Sequence, residues 1–267
     1  MSSHVGLPAF RRQSGPTKET LIMDGLRQRV PHIGILAGTA EGAALCYRTL
    51  CHETERLTGF DAHPEITMHA LPLQAYLAAI DAEDWSAVAM LMSRSASVLA
   101  QAGAELIICP NNTLHRAFDL VVSSLPWLHI AAAVEAEASR RKYRQVGLIG
   151  TQAVMEGSVY QPRFEKAGIE VVLPAASDRI ELDKIIRMEL IRGQYTHGSR
   201  EDVRKIIATM ADNGVEAVIL GCTELPLLLP QEFSALPLLD STHLLATKAL
   251  TTVFSFHSHP KVYLCSS

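Results

Sequence analysis

The 267-residue chain lacks long apolar runs, a basic excess and a cysteine framework. No segment approaches the ~20 consecutive apolar residues of a bilayer-spanning helix, so no membrane role is expected. The net charge of −4 leaves no basic face to neutralise phosphates, which argues against nucleic acid as a partner. Five cysteines are too few for a disulfide scaffold at this length, and their odd number leaves a free thiol. A reducing, cytoplasmic setting is expected. Gly34, Gly38, Gly147 and Gly150 form neither G-x-G-x-x-G nor a phosphate loop with its lysine, so no nucleotide cofactor is expected. Residues 1–30 carry Arg11, Arg12, Arg27 and Arg29 but no apolar stretch of a secretory signal. They read as a flexible tail, with Met23 as an alternative start.

What is present is a 48% hydrophobic composition, enough for a sizeable core, and a regular alternation from His32 onward. Short β-branched or apolar runs end in Gly, Asn or Thr, and Ala-rich amphipathic stretches follow. The expected strands are 32–37, 65–69, 105–109, 127–130, 145–149, 170–173, 217–220 and 238–239. The expected helices include 85–101, 161–167, 179–192 and 200–213. This alternation predicts an α/β fold with largely parallel, buried sheets. Ligands in such folds sit beyond the carboxyl ends of the strands.

The strand ends repeat. Ala102–Asn111 reads like Asn213–Cys222 at an offset of 111, which sets Asn111 against Cys222. Leu125-Pro126-Trp127-Leu128-His129 answers Leu236-Pro237-Leu238-Leu239-Asp240 at the same offset. Ile33–Thr39 answers Val146–Thr151, with Thr39 and Thr151 set apart by 112. Duplication predicts two pseudo-symmetric α/β domains, each a mostly parallel sheet flanked by helices, with the active-site cleft between them. The expected boundaries are 31–135 plus 236–255 for the first domain, 136–235 for the second, and a C-terminal tail over 256–267. Asn111 and Cys222 would then flank one bound molecule.

Cys222, in Gly221-Cys222-Thr223-Glu224, follows an apolar strand and precedes a turn or helix start. A helix N-terminus lowers a thiol's pKa and makes thiolate available, although a free Cys is most often packing. Cys109 lies inside its strand and is an outside candidate; Cys46 and Cys51 read as helix packing. Asn111-Asn112-Thr113-Leu114-His115 is a dense polar cluster suited to cradling a carboxylate or to capping a helix. Thr39, Thr151 and Thr223 stand at the corresponding strand ends. Asp240-Ser241-Thr242-His243 and His129 read as supporting, satisfied groups.

These motifs resemble the aspartate/glutamate racemase superfamily, over about His32 to Phe254. The carriers are Ile33–Thr39, Asn112-Thr113-Leu114-His115, Val146–Thr151 and Gly221-Cys222-Thr223-Glu224. Glu224, His115, Met155-Glu156 and Arg192–Thr196 look nearest the broad-specificity amino-acid racemase branch. The resemblance implies a cofactor-independent racemase, commonly a homodimer, in which one cysteine per domain approaches opposite faces of the substrate's α-carbon. It implies substrate binding by Thr39, Asn112, Thr113, Thr151, Thr223 and Glu224. This chain departs from the pattern: Asn111 stands where the first catalytic cysteine is expected, and an amide does not titrate near neutrality.

The resulting expectation is an amino-acid racemase or epimerase for glutamate, aspartate or a related amino acid, one-base and one-directional from the L-enantiomer. Cys222 would abstract the proton, with reprotonation on the other face by water near Asn111, by Thr113, or not at all. The resemblance implies that aspartate-specific relatives hold the distal carboxylate just after the position of Pro64, where this chain has no Arg or Lys, leaving Arg163 and Arg192 as substitutes. The alternatives are a single-cysteine decarboxylase on the same scaffold, which requires an apolar pocket, and a non-catalytic carboxylate-binding protein. No metal is expected.

Overall fold

The computed structural model describes residues 30–58 and 63–258. The expected tails fall almost wholly outside these residues. Pairing of parallel strands begins with β1 (His32–Ala37), followed by α1 (Ala40–Thr58), β2 (Glu65–Ala70), α2 (Leu73–Asp81), α3 (Trp85–Gln101) and β3 (Leu106–Ile108). A 3₁₀ segment over Thr113–Leu120 and α4 (Ile130–Arg140) complete the first half. The second half holds β4 (Gln145–Gly150), α5 (Gln152–Met155), α6 (Gln161–Lys166), β5 (Glu170–Val172), α7 (Ala176–Met188), α8 (His197–Asp212), β6 (Ala217–Gly221), α9 (Leu225–Leu228) and β7 (Leu238–Asp240). Helix α10 (Ser241–Ser258) closes the fold.

The strands form two parallel sheets of order β2-β1-β3 and β5-β4-β6-β7. Side chains in β1 and β3 alternate between two cores, as the period of two in a strand requires. Ile33, Ile35, Leu106 and Ile108 face the large core that continues through the second half, while Leu36 and Ile107 face a smaller one with Tyr76, Met92 and Leu99. The halves therefore share one core.

The duplication is written into the register. Ile33 pairs with Leu106 as Val146 pairs with Ala217, and Gly34 with Ile107 as Gly147 with Val218. Ile107 bridges Trp127 as Val218 pairs with Leu238. The turn after β4 is one residue shorter than that after β1, which takes the offset from 113 at Ile33 and Val146 to 112 at Thr39 and Thr151.

Two expectations change. The strand expected over 127–130 is a single bridge at Trp127, because the chain turns into α4 at Ile130. The segment 236–255, expected with the first domain, divides: the Val218 N–H donates to the Pro237 carbonyl at 2.9 Å and draws β7 into the second sheet, while α10 packs on α1 and α4.

Candidate active site

The strand ends of both sheets open onto one cavity of about 310 Å³. Thr39, Asn111, Asn112, Thr113, Thr151, Cys222, Thr223 and Glu224 all line it. Parallel strands direct their carboxyl ends to one side, and the repeat brings the two sets of ends together.

Cys222 is 6% exposed and its thiol donates to Glu224 Oε2 at 3.0 Å. The Thr223 hydroxyl donates to the same oxygen at 3.0 Å, and the Thr39 hydroxyl donates to Oε1 at 2.5 Å. Glu224, 2% exposed, thus has both oxygens engaged by protein donors. It lines the cavity, where the resemblance implied a substrate ligand, and within the protein it is the acceptor for the Cys222 thiol. A carboxylate there would also repel a substrate carboxylate.

The expected lowering of the Cys222 thiol does not hold. Burial, followed by the negative charge of Glu224 and the hydrogen bond to it, raises the thiol well above its ordinary value; backbone N–H groups of Glu224 and Leu225 oppose this only in part. Helix α9 is four residues long and supplies too little dipole to reverse the effect.

Asn111 stands at the end of β3 as Cys222 does at the end of β6. Its Oδ1 accepts from the Leu114 N–H at 3.2 Å, capping the 3₁₀ segment and leaving the two Nδ2 protons for the cavity. Gly38 is needed beside it: a Cβ there would lie 2.6 Å from Asn111 Nδ2. At Gly42, in the first turn of α1, a Cβ would lie 2.3 Å from Thr223 Oγ1, so the two halves meet through glycine.

Asn112 is also redirected. Its Nδ2 donates to Ser241 Oγ at 3.0 Å and its Oδ1 accepts from the Tyr160 hydroxyl at 2.5 Å, while Ser241 donates to the Leu220 carbonyl at 2.7 Å. This buried chain fixes the β3 end against the β6 end and commits the Asn112 amide to the protein. The hydroxyls of Thr113 and Thr151 hydrogen-bond each other across the halves at 3.2 Å, and Thr151 also caps α5. Tyr160 escaped the sequence reading because no motif marks it; Ser241 lay in a stretch already read as supporting.

Among the other candidates, Cys109 is fully buried on the smaller core, where burial pushes its thiol up to about 12. His115 donates from Nε2 to the Cys109 carbonyl at 3.0 Å and is buried behind the cavity. Arg192 lines the cavity at its exposed rim, whereas Arg163 lines a separate cavity with His129 and Lys166. Among the described residues no cluster of His, Cys, Asp and Glu is placed to hold a metal ion. None of their helices is long and apolar enough to cross a membrane.

Residues 33–249 match the family model described as Asp/Glu/Hydantoin racemase. The chain is similar to a glutamate racemase of Roseiflexus sp. (strain RS-1), 28% identical over 152 residues, 51% of this chain and 50% of that protein. It spans about half the length of the curated glutamate racemases it matches. The broad specificity amino-acid racemase RacX of Bacillus subtilis (strain 168) is 24% identical over 163 residues, 60% of this chain and 70% of that protein. Among solved structures, an aspartate racemase homologue from Pyrococcus horikoshii OT3 matches with a TM-score of 0.69 at 31% identity, covering 85% of this chain and 99% of that one.

Proposed function

The chain belongs to the Asp/Glu/hydantoin racemase family, and from that premise we propose a cofactor-independent amino-acid racemase or epimerase with one thiol base. Cys222 takes the α-proton of the L-enantiomer, and Asn111 occupies the opposite face. The observation that carries this reading is one thiol and one amide at equivalent strand ends of a duplicated fold, lining one cavity.

The chemistry follows from the hydrogen bonds. Passing the proton from Cys222 Sγ to Glu224 Oε2 gives a thiolate and a neutral carboxyl with no change in net charge, which a buried site favours over loss of a proton to water. The thiolate removes the α-proton, and the C–H electron pair moves into the substrate carboxylate as an enediolate. The Nδ2 protons of Asn111 donate to that developing charge. Water on the Asn111 face protonates the α-carbon, the hydroxide left behind takes the abstracted proton from Cys222, and Glu224 returns its own proton to the thiolate, which restores the starting pair.

One-sidedness has a defined meaning here. Racemisation has an equilibrium constant of one, so kcat/KM for net inversion is equal in the two directions. The asymmetry lies in isotope exchange. Where Cys222 protonates the enediolate faster than the water on the Asn111 face, an L-substrate exchanges its α-proton mostly without inverting, whereas a D-substrate inverts nearly every time it exchanges.

Proton NMR in D₂O tests the reading. Loss of the α-proton signal from an L-amino acid is expected, and Cys222→Ala should lower its rate by on the order of 10²–10⁴-fold. Binding of amino acids without exchange would leave a carboxylate-binding protein instead. A decarboxylase reading also has an observation behind it, since the cavity has an extended apolar wall and the amides of Asn112 and Thr113's hydroxyl are committed elsewhere. Release of carbon dioxide from a substituted malonate, without α-proton exchange of any amino acid, would select it.

A further inference from the structure

Helix α2 places Leu73, Leu77 and Ile80 at i, i+4 and i+7, on one helical face. That face lines the active-site cavity, and Leu73 and Leu77 belong to neither core. Ile186 and Met188 of α7 and Ile191 just beyond it line the same cavity. The cavity is therefore polar at the Asn111–Cys222 end and apolar away from it. Its volume of about 310 Å³ lies at the small end for ligand sites.

A distal carboxylate needs a cation within this wall. Arg187 is compensated: its Nε lies 3.0 Å from Asp183 Oδ2, close as an ion pair though not aligned as a hydrogen bond, and its Nη1 lies 3.6 Å from Asp81 Oδ1. Arg192 is exposed at the rim, where water already solvates it. A second carboxylate seated against Leu77 and Ile186 would be desolvated there and would gain little from an arginine at the water-exposed rim, whereas an aliphatic side chain gains by leaving water.

We infer that the substrate carries an apolar side chain of about leucine or methionine size, lying along α2 and α7, and that acidic amino acids are poor ligands. This deepens the racemase reading and rests on it for the placement of the α-carboxylate. Met188, unbranched and polarisable, lets the wall adapt to more than one apolar shape.

Calorimetric titration of Cys222→Ser with L-leucine, L-methionine, L-phenylalanine, L-glutamate and L-aspartate tests it, paired with α-proton exchange by the unaltered protein. The apolar ligands are expected to bind at least about tenfold more tightly than the acidic ones. Leu77→Asn and Leu77→Ala should each reduce that preference several-fold. Equal or tighter binding of glutamate or aspartate overturns the inference, as does exchange confined to the acidic substrates, which would leave the racemase reading intact. Preferred binding of apolar ligands with no exchange supports the inference and defeats the racemase reading. Absence of binding by all five overturns both.

Discussion

Cys222 and Glu224 form the pair on which the chemistry turns, and their coupling is directly measurable. Burial, and after it the charge and hydrogen bond of Glu224, hold the thiol well above its ordinary pKa. Glu224→Gln removes the charge but not the burial, so the pH midpoint for alkylation of Cys222 by iodoacetamide should move down. The same change removes the acceptor for the thiol's proton, so exchange near pH 7 should fall on the order of 10²-fold and recover as pH rises. An unmoved midpoint with unchanged activity would contradict the pairing. The position of Cys222 was legible in Gly221-Cys222-Thr223-Glu224, because a polar cluster after an apolar strand marks a loop end. Its protonation was not legible, since it depends on a carboxylate folded back within hydrogen-bond reach. Thr39, Asn112 and Glu224 likewise reached the cavity as read, but sequence names donors and acceptors without naming partners, and theirs are within the protein.

At the scale of elements, the repeat explains more than the sheets. The Ala131 N–H donates to His129 Nδ1 at 3.1 Å at the start of α4, and the Thr242 and His243 N–H groups donate to Asp240 Oδ1 at 2.9 and 3.0 Å at the start of α10. His129 and Asp240 are thus equivalent caps, as their shared offset suggested. Asp240→Ala should cost about 1–2 kcal/mol in denaturant unfolding, and Asp240→Asn much less, because an acceptor remains. Gly42→Ala forces a methyl onto Thr223 Oγ1. It should cost about 1–3 kcal/mol and slow exchange by displacing the Glu224 acceptor set. Strands were legible because buried parallel strands read as apolar runs ending at turn residues, and 85–101 was recovered as α3. Helix α2 was not, although its i, i+4, i+7 leucines and isoleucine carried a usable signal. Nothing in those residues says which surface they cover.

The whole molecule joins two halves through one core and places a polar cluster behind the cavity. Burial depresses His115 to about 3 and His129 to about 4. Folded-state values below the ordinary ~6.5 mean that both contribute stability above that pH and lose it as pH falls toward 4 and 3. Urea unfolding should therefore weaken below pH 6.5, by up to ~1.4 kcal/mol per pH unit for each histidine. His129→Asn, which keeps a capping acceptor, should remove one share of that slope.

The central claim is that one face of the substrate meets a thiol and the other an amide. Its most direct test is the ratio of α-proton exchange to inversion in D₂O, measured separately from each enantiomer. In the unaltered protein the ratio should exceed one from the L-enantiomer and stay near one from the D-enantiomer, and Asn111→Cys should raise the second. A D-enantiomer that exchanges faster than it inverts in the unaltered protein would contradict the claim, because proton return on the Asn111 face would then outpace return by the Cys222 thiol.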